Sequence, residues 1–518
     1  MVLAISREPS LAAEGTYDSI VVGGGIYGVM LSLEAARRGL RCLLLEREDF
    51  GAATSYHSLR IVHGGFRYLQ TLDLPRFFES VGERRWFLQT FPELVRPLEC
   101  LMPLYGRGIR RLPVLYGALR LNDILSYDRN RGVRGDRHLP DGKTIDATEV
   151  EGLFPQVDPQ GLEGGAIWYD ACMPDSQRLL VESLRWACAL GATALNYVEA
   201  RELLIVDNQV RGVVATDSES GQSYEYRGKT VINAAGPWCR EVAEKFDRDV
   251  PDLFKHSIAW NVLFDRRTLS DAALAVEPKK PGASTYFLHP WKGRLLAGTV
   301  HDPWTDGATD APLPSPERLA DFIDDLNLAV PGLNLTAAEV LRVFSGLLPA
   351  SEVGTAHLAK REAIFNHGGS GGVRGLYSIA GVKFTTARLV AQKTLETAFP
   401  KMRSVSSSAR KQSVPPPEVG RVRGSFDYHW HPQAEDTAWE AELTEIVATE
   451  SVVHLDDLML RRTSLGDNPH RALAMAPRIC RLWGWDSTRI QGEIERLERY
   501  YALRSAQQCN LALSGKES

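Results

Sequence analysis

The sequence predicts a multidomain α/β protein: a Rossmann-type domain, a second domain built on a sheet, and a C-terminal helical domain. Three observations predict it. A β-α-β unit with three spaced glycines opens the chain after a short leader. A block of strand-patterned sequence interleaved with Trp and Tyr runs over residues 256–300. A helix-patterned stretch with Arg/Glu pairs, residues 434–512, follows a Ser- then Pro-rich segment.

The elements follow in order. Residues 1–16 read as a flexible leader without a basic region followed by an apolar one, so no signal peptide is expected. Residues 18–22 (DSIVV) are a short buried strand. GGGIYG then opens an apolar-periodic helix that runs to Arg38 and stops at Gly39, and residues 41–46 (RCLLLE) are the second strand. Residues 75–90 are helical. Residues 105–145, rich in Gly, Arg and Asp, read as an excursion or lid. Asp175 is placed to cap a helix that ends at Gly191. Residues 193–232 alternate like strands, with a turn near 218–222. Residues 377–399 are strand, turn and helix again, and 404–433 are a linker. A cofactor domain is therefore expected over about 17–100, 165–240 and 350–400, interleaved with a substrate domain over about 101–164 and 241–349. A helical domain is expected over 434–518.

At 518 residues the chain exceeds one ordinary core. A net charge of −5 supplies no bulk basic field for nucleic acid. No apolar run is long enough to span a bilayer. Seven irregularly spaced cysteines lack CxxC spacing, which suits reduced thiols in a cytoplasm-like compartment. No metal is expected.

Gly23, Gly25 and Gly28 form G-x-G-x-x-G between strand and helix, with Ile26 at the helix start. The first glycine permits the tight turn, the second lets a pyrophosphate approach, and the third lets helix and strand pack closely. The helix N-terminus favours the diphosphate's negative charge. Glu46 ends the second strand, placed to accept from ribose hydroxyls, with Arg47 beside it. Two distant segments favour FAD over NAD. KTVINAAG (229–236) runs a strand into a small-residue turn at Ala235 and Gly236. YSIAGVKFTT (377–386) puts Gly381, Lys383, Phe384 and Thr385 at a second strand-to-helix turn. A second helix N-terminus suits the far end of a long flavin cofactor, where it can stabilise charge on the reduced ring.

TSYHSLRIVHGGFRYLQ (54–70) puts hydroxyls, a Gly pair, Arg and Tyr close together, which a plain core strand does not need. With GAIWYDACMPDSQRLL, LNYVEA, VINAAGPW, GTVHD, FSGLLPA, AGVKFTTAR and LDDLMLRRTSLGD in order, it resembles the FAD-dependent glycerol-3-phosphate dehydrogenases of the D-amino-acid-oxidase-like superfamily. The resemblance implies FAD in the Rossmann-type domain beside an antiparallel-sheet substrate domain, and oxidation of a secondary alcohol by hydride transfer to flavin N5. It implies that Thr54, Ser55, Gly64 and Gly65 lie along the cofactor and that the Val198 backbone meets the adenine. Arg67 and Tyr68 would face the substrate, and Arg361 and Lys383 would hold its anionic end and the reduced flavin. His63 reads as a packing or flavin-side residue.

Three positions depart from the family pattern. Leu348 stands where Gly-x-Arg-Pro has its arginine, and His301 stands where Gly-Thr-x-Asp has its acid. A family histidine near the substrate falls at Trp260, so Trp260 and Leu348 would face the substrate and make its pocket more apolar. A leucine cannot grip phosphate, and a lost charge-assisted contact costs on the order of 2–5 kcal/mol when the anion is left buried and unpaired. Flavin chemistry with a changed, still anionic, substrate is the reading that follows, with His301 as candidate base on the strength of a near-neutral pKa. An amine or amino-acid oxidase and an idle flavoprotein scaffold are the alternatives. Quinone or dioxygen as acceptor, a homodimer, and peripheral contact at the inner face of a membrane all stay open.

Overall fold

The computed structural model describes residues 4–106, 108, 110–280, 282–401, 422–432 and 437–505. Most of the expected linker (404–421 and 433), the C-terminal residues 506–518 and Cys509 lie outside the described residues. The other six cysteines are free thiols.

Three sheets organise the described residues. The first has the order Ala363–Asn366, Leu376–Ala380, Val231–Asn233, Ser19–Val22, Cys42–Leu45, Thr193–Leu195. It is parallel except at the Ala363–Asn366 edge. Its central strands are almost wholly buried, Ser19, Asn233 and Ser378 included, because helices cover it: Ile26–Ala36, Ser176–Ala189 and Ala387–Ala398 pack against it. A small sheet joins Val198–Val206, Gln209–Asp217, Ser223–Gly228 and Thr16–Tyr17, and accounts for the alternating block after residue 193.

The large sheet runs Val340–Pro349, His256–Arg267, Arg294–Pro303, Tyr286–Trp291, Ala273–Val276, Arg96–Leu104, Gly164–Cys172, Ile61–Val62. It is antiparallel except where Ala273–Val276 meets Arg96–Leu104. Three of its strands (61–62, 96–104 and 164–172) lie wholly or in part in segments expected of the cofactor domain. The two domains therefore share chain more closely than the expected boundaries allow.

Three further expectations need correction. The leader packs down over residues 4–16: Ile5 is buried and donates to Thr449 O at 2.8 Å, and Arg7 Nε donates to Asn196 O at 3.0 Å. Residues 105–145 contain a well-formed helix, Leu112–Leu125. It is poorly amphipathic in the usual sense because its outer face is apolar: Val114, Tyr116, Leu121, Ile124 and Tyr127 after it are exposed. Asp175 does stand at the cap position of Ser176–Ala189, but its side chain makes no cap bond. It pairs with the buried Lys292 instead, a partner far away in sequence.

Past the expected linker, Ala438–Thr449, Pro469–Leu482 and Ser487–Ala502 form the helical unit, joined by a π-helix at Asp457–Arg462. Among the described residues no helix is long and apolar enough to cross a membrane.

Candidate active site

One cavity of about 1480 Å³ runs from the Gly-rich turn to the large sheet. Single small-molecule pockets hold about 300–1,000 Å³, so this one has room for a long cofactor and a second molecule.

At the nucleotide end the local chemistry follows the fingerprint. Gly23 has a φ of +107°, and a Cβ there would lie 2.6 Å from Ala234 O. A Cβ on Gly28 would lie 1.8 Å from Gly23 O, so Gly28 serves close helix–strand packing and does not border the cavity. Gly25, Ile26, Ala235 and Gly236 do border it. Glu46 ends its strand facing the cavity and accepts from the backbone N–H groups of Gly24 and Glu48. Burial pushes its carboxyl up to about 7. Hydroxyl donors on a ribose would relieve that penalty, so the residue fits the role expected of it. Arg47 also borders the cavity, but its guanidinium is committed to Asp310 and lies 4.2 Å from the centroid of the Trp238 ring. Val198 lines the same end.

The middle of the cavity is built by residues 54–70 and the second turn. Ser55 Oγ accepts from Ile26 N at 2.9 Å and so caps the first helix, while Thr54 Oγ1 donates to Leu347 O at 3.1 Å. Gly65 borders the cavity; Gly64 does not. Gly64 N donates to Asp170 Oδ1 at 2.7 Å, and a Cβ there would strike the Arg84 guanidinium. Asp170 also accepts from His63 Nδ1 at 3.0 Å and from Arg84 Nη1 at 2.9 Å. Burial alone would raise this carboxyl, but the bond from His63 and the charge of Arg84 hold it at about 2. Gly64 is thus required by a buried ion cluster, and His63 orients that cluster from the cavity side.

At the second turn Gly381, Lys383, Phe384 and Thr385 all line the cavity. Tyr27, from the first Gly-rich turn, staples the two turns together. Its hydroxyl donates to Lys383 O at 2.7 Å and accepts from Lys383 N at 3.0 Å, and its ring leaves no room for a Cβ on Gly381. Sequence reasoning passed over Tyr27, although it sits inside GGGIYG.

The far end of the cavity, the candidate substrate chamber, lies against one face of the large sheet. Alternate residues point into it: Ala259 and Asn261, Thr299 and His301, Gly346 and Leu348. Their neighbours point the other way into an apolar core under the helix Pro316–Ala329. Trp260 is one of those neighbours. It is fully buried, packs edge-on against Phe322, and donates from Nε1 to Asp302 Oδ2 at 2.9 Å. The expectation that Trp260 faces the substrate fails by one step of strand parity; Ala259 holds the chamber position. Asp302 is likewise turned away and gripped by Arg318.

Arg67, Tyr68, His301 and Leu348 all line the chamber. Arg361 does not: its half-exposed guanidinium sits outside the wall, 3.3 Å from Glu79. Burial and the charge of Arg67 push the His301 imidazole down to about 4, and its Nδ1 is buried without a partner among the described residues. The near-neutral expectation was therefore wrong, because a dry wall beside a cation disfavours imidazolium. Lys383 is lowered to about 8 by burial and by Arg67, and its Nζ lies 4.3 Å from the centroid of the Tyr68 ring. Among the described residues neither Arg67 nor Lys383 has a carboxylate partner. His57 also borders the chamber, buried, with both ring nitrogens unpartnered among the described residues.

Comparison with known proteins places the chain in a family and matches its fold. The FAD dependent oxidoreductase family matches over residues 18–396. A glycerol-3-phosphate dehydrogenase of Synechocystis is 32% identical over 403 residues, covering 75% of this chain and 70% of the relative. One of Mycobacterium leprae is 29% identical over 530 residues, covering 92% and 87%. The crystal structure of a Bacillus halodurans glycerol-3-phosphate dehydrogenase complexed with FAD superimposes with a TM-score of 0.66 at 20% identity, over 96% of each chain. An L-amino acid deaminase from Proteus vulgaris gives 0.54 at 14% identity, over 76% of this chain and 95% of that one.

Proposed function

The chain belongs to the FAD-dependent oxidoreductase family, and from that premise we propose that it oxidises the CH–OH carbon of a small anionic substrate other than glycerol 3-phosphate. When bound, FAD supplies the hydride acceptor, its N5. The chain's own residues bind and orient the anion, exclude water, and take the hydroxyl proton.

The observation that carries this reading is the Arg67–Lys383 pair. Two neighbouring cations on a chamber wall without a carboxylate partner repel each other, and that repulsion helps lower Lys383 to about 8. An anionic group between them would remove the repulsion and restore full charge to Lys383. The change of substrate is supported by the floor of the chamber. Leu348 and Ala259 offer no charge, so a dianionic phosphate would lack its expected grip, whereas a carboxylate needs fewer donors. His301 is neutral at pH 7 and presents an unpartnered nitrogen, so it can accept a proton directly. Its low basicity also favours a second reading, an amine substrate, which loses its proton more readily.

Anaerobic flavin reduction decides among them. Small hydroxy acids should bleach the yellow protein; amines alone doing so selects the second reading. Efficient bleaching by glycerol 3-phosphate would defeat the changed-substrate reading. A panel that leaves the flavin oxidised would favour an idle scaffold.

We further infer that the outer face of the Leu112–Leu125 helix meets a lipid surface. Ile124 is 68% exposed and Tyr127 84%, while soluble proteins rarely expose contiguous apolar patches of this kind. Leu72, Leu74 and Phe78 extend the patch beside the chamber's Arg67–Arg76 wall, joined to the helix where Leu125 packs on Leu69, Phe77 and Val81. Arg111 and Arg131, both exposed, flank it and suit anionic headgroups.

A further inference from the structure

LDDLMLRRTSLGD, residues 455–467, lies outside the family match and takes no part in the chemistry above. Its position is nevertheless tied to the cofactor. Asp457–Arg462 form a π-helix, a widened turn that is rare and concentrated at functional positions. The turn brings two consecutive arginines to one carboxylate. Arg462 grips Asp49 with two parallel bonds, Nη1 to Oδ2 and Nη2 to Oδ1, each 2.7 Å. Arg461 Nε donates to Oδ2 as well, and Asn196 Nδ2 donates to Oδ1 at 2.9 Å. Asp49 and Arg462 are fully buried. Burial would raise the Asp49 carboxyl, but the two guanidiniums hold it well below the usual carboxylate range.

Asp49 stands in the loop that carries Glu46 and Arg47 and leads to Thr54 and Ser55 along the cavity wall. A second cofactor-facing segment hangs from the same helical unit. Tyr197 OH donates to Asp457 Oδ1 at 2.6 Å; Asn196 Nδ2 donates to Ser451 O at 2.9 Å, and Ser451 Oγ donates to Asn196 Oδ1 at 2.7 Å. Val198 follows directly. The loop and the segment meet where Glu46 N donates to Leu195 O at 2.9 Å and Val198 N donates to Glu46 O at 2.8 Å. Both walls of the nucleotide end are thus fastened to residues 451–462.

We propose that Arg461 and Arg462 are positioning residues of the FAD site. They act through Asp49 to hold the ribose-facing loop, so FAD binding and docking of the C-terminal unit favour each other. The coupling is reciprocal: whatever the docked unit adds to FAD affinity, bound FAD adds to docking. Arg462→Met leaves a buried carboxylate short of its bidentate partner, a change that buried pairs tolerate poorly, whereas Arg462→Lys keeps one charge-assisted bond.

The test uses the full chain with and without FAD. Titration of the apoprotein with FAD should show a Kd raised at least about tenfold in Arg462→Met and less in Arg462→Lys. The rise in Tm produced by a fixed FAD concentration should shrink in the same order, as linkage requires. In the unsubstituted protein, FAD should slow amide exchange across 456–467 by about tenfold or more. A variant whose apo Tm falls while its FAD Kd holds would overturn the proposal. So would wild-type exchange in 456–467 that ignores bound FAD, a measurement that stands even if the variants fail to fold. Failure of the unsubstituted protein to bind FAD at all would instead overturn the cofactor assignment on which this proposal rests.

Discussion

Replacing Lys383 by Met should both weaken anion binding and erase its pH dependence. The magnitude follows from the lysine's surroundings. Its fall from an ordinary 10.5 to about 8 corresponds to about 3 kcal/mol at 1.36 kcal/mol per pH unit. Partial solvent access discounts this to about 2 kcal/mol, the share a bound anion can recover. Losing that share raises Kd roughly thirtyfold. The sign is fixed by the titration: Lys383 is charged below pH 8 and neutral above it. Affinity for an anion is therefore full at pH 7 and falls as pH rises through 8, by up to tenfold per pH unit. Oxalate is a redox-inert probe, and its binding can be followed through the flavin absorbance from pH 6 to 9.5. The unsubstituted protein should bend at pH 8, and Lys383→Met should be weaker and flat across that range. A variant that binds as tightly and keeps the bend would refute the assignment of Lys383 to the anion, and with it the observation on which the substrate class rests.

Other outcomes follow from the same geometry. His301→Ala should slow flavin reduction at least about a hundredfold. Because the imidazole is held down at about 4, its contribution should persist from pH 7 to 5 and disappear only as pH falls through 4. Leu348→Arg should let glycerol 3-phosphate reduce the flavin, by restoring a contact worth on the order of 2–5 kcal/mol; no gain would mean that the missing cation is not what excludes this substrate. Leu121→Glu with Ile124→Glu should abolish co-sedimentation with vesicles of one-third anionic lipid while leaving flavin reduction by a soluble substrate intact. Sedimentation unchanged by these charges would remove the helix from that role.

The cofactor end was legible in the sequence because its chemistry is local. Gly23, Gly25, Gly28 and Glu46 work through backbone positions fixed within one β-α-β unit, and they stand where the spacing puts them. The substrate end was legible only as far as parity could be counted. His301 and Leu348 fell on the right face, and Trp260 missed by one residue, which on a strand reverses the direction of a side chain. Arg361 was lost for another reason. Glu79 on a distant helix draws it outward, and pairings of that separation leave no local mark. The same applies to Asp170, which fixes Gly64 from the neighbouring strand but lies 106 residues away in sequence, and to the packed leader, whose anchor at Thr449 lies near the far end of the chain.

The alternation of the large sheet has a consequence for how such a protein changes over time. On His256–Arg267 and Arg294–Pro303 the residues that hold the core together (Ile258, Trp260, Val262, Val300) and those that line the chamber (Ala259, Asn261, Thr299, His301) alternate along the same strands on opposite faces. Mutation at the second set can therefore retune what the chamber accepts while leaving the apolar core face untouched. Divergence in substrate range is cheap in this architecture, while the flavin end, stapled by Tyr27 and crowded around its glycines, has almost no freedom to drift. A lineage built this way keeps one chemistry and explores many reactants.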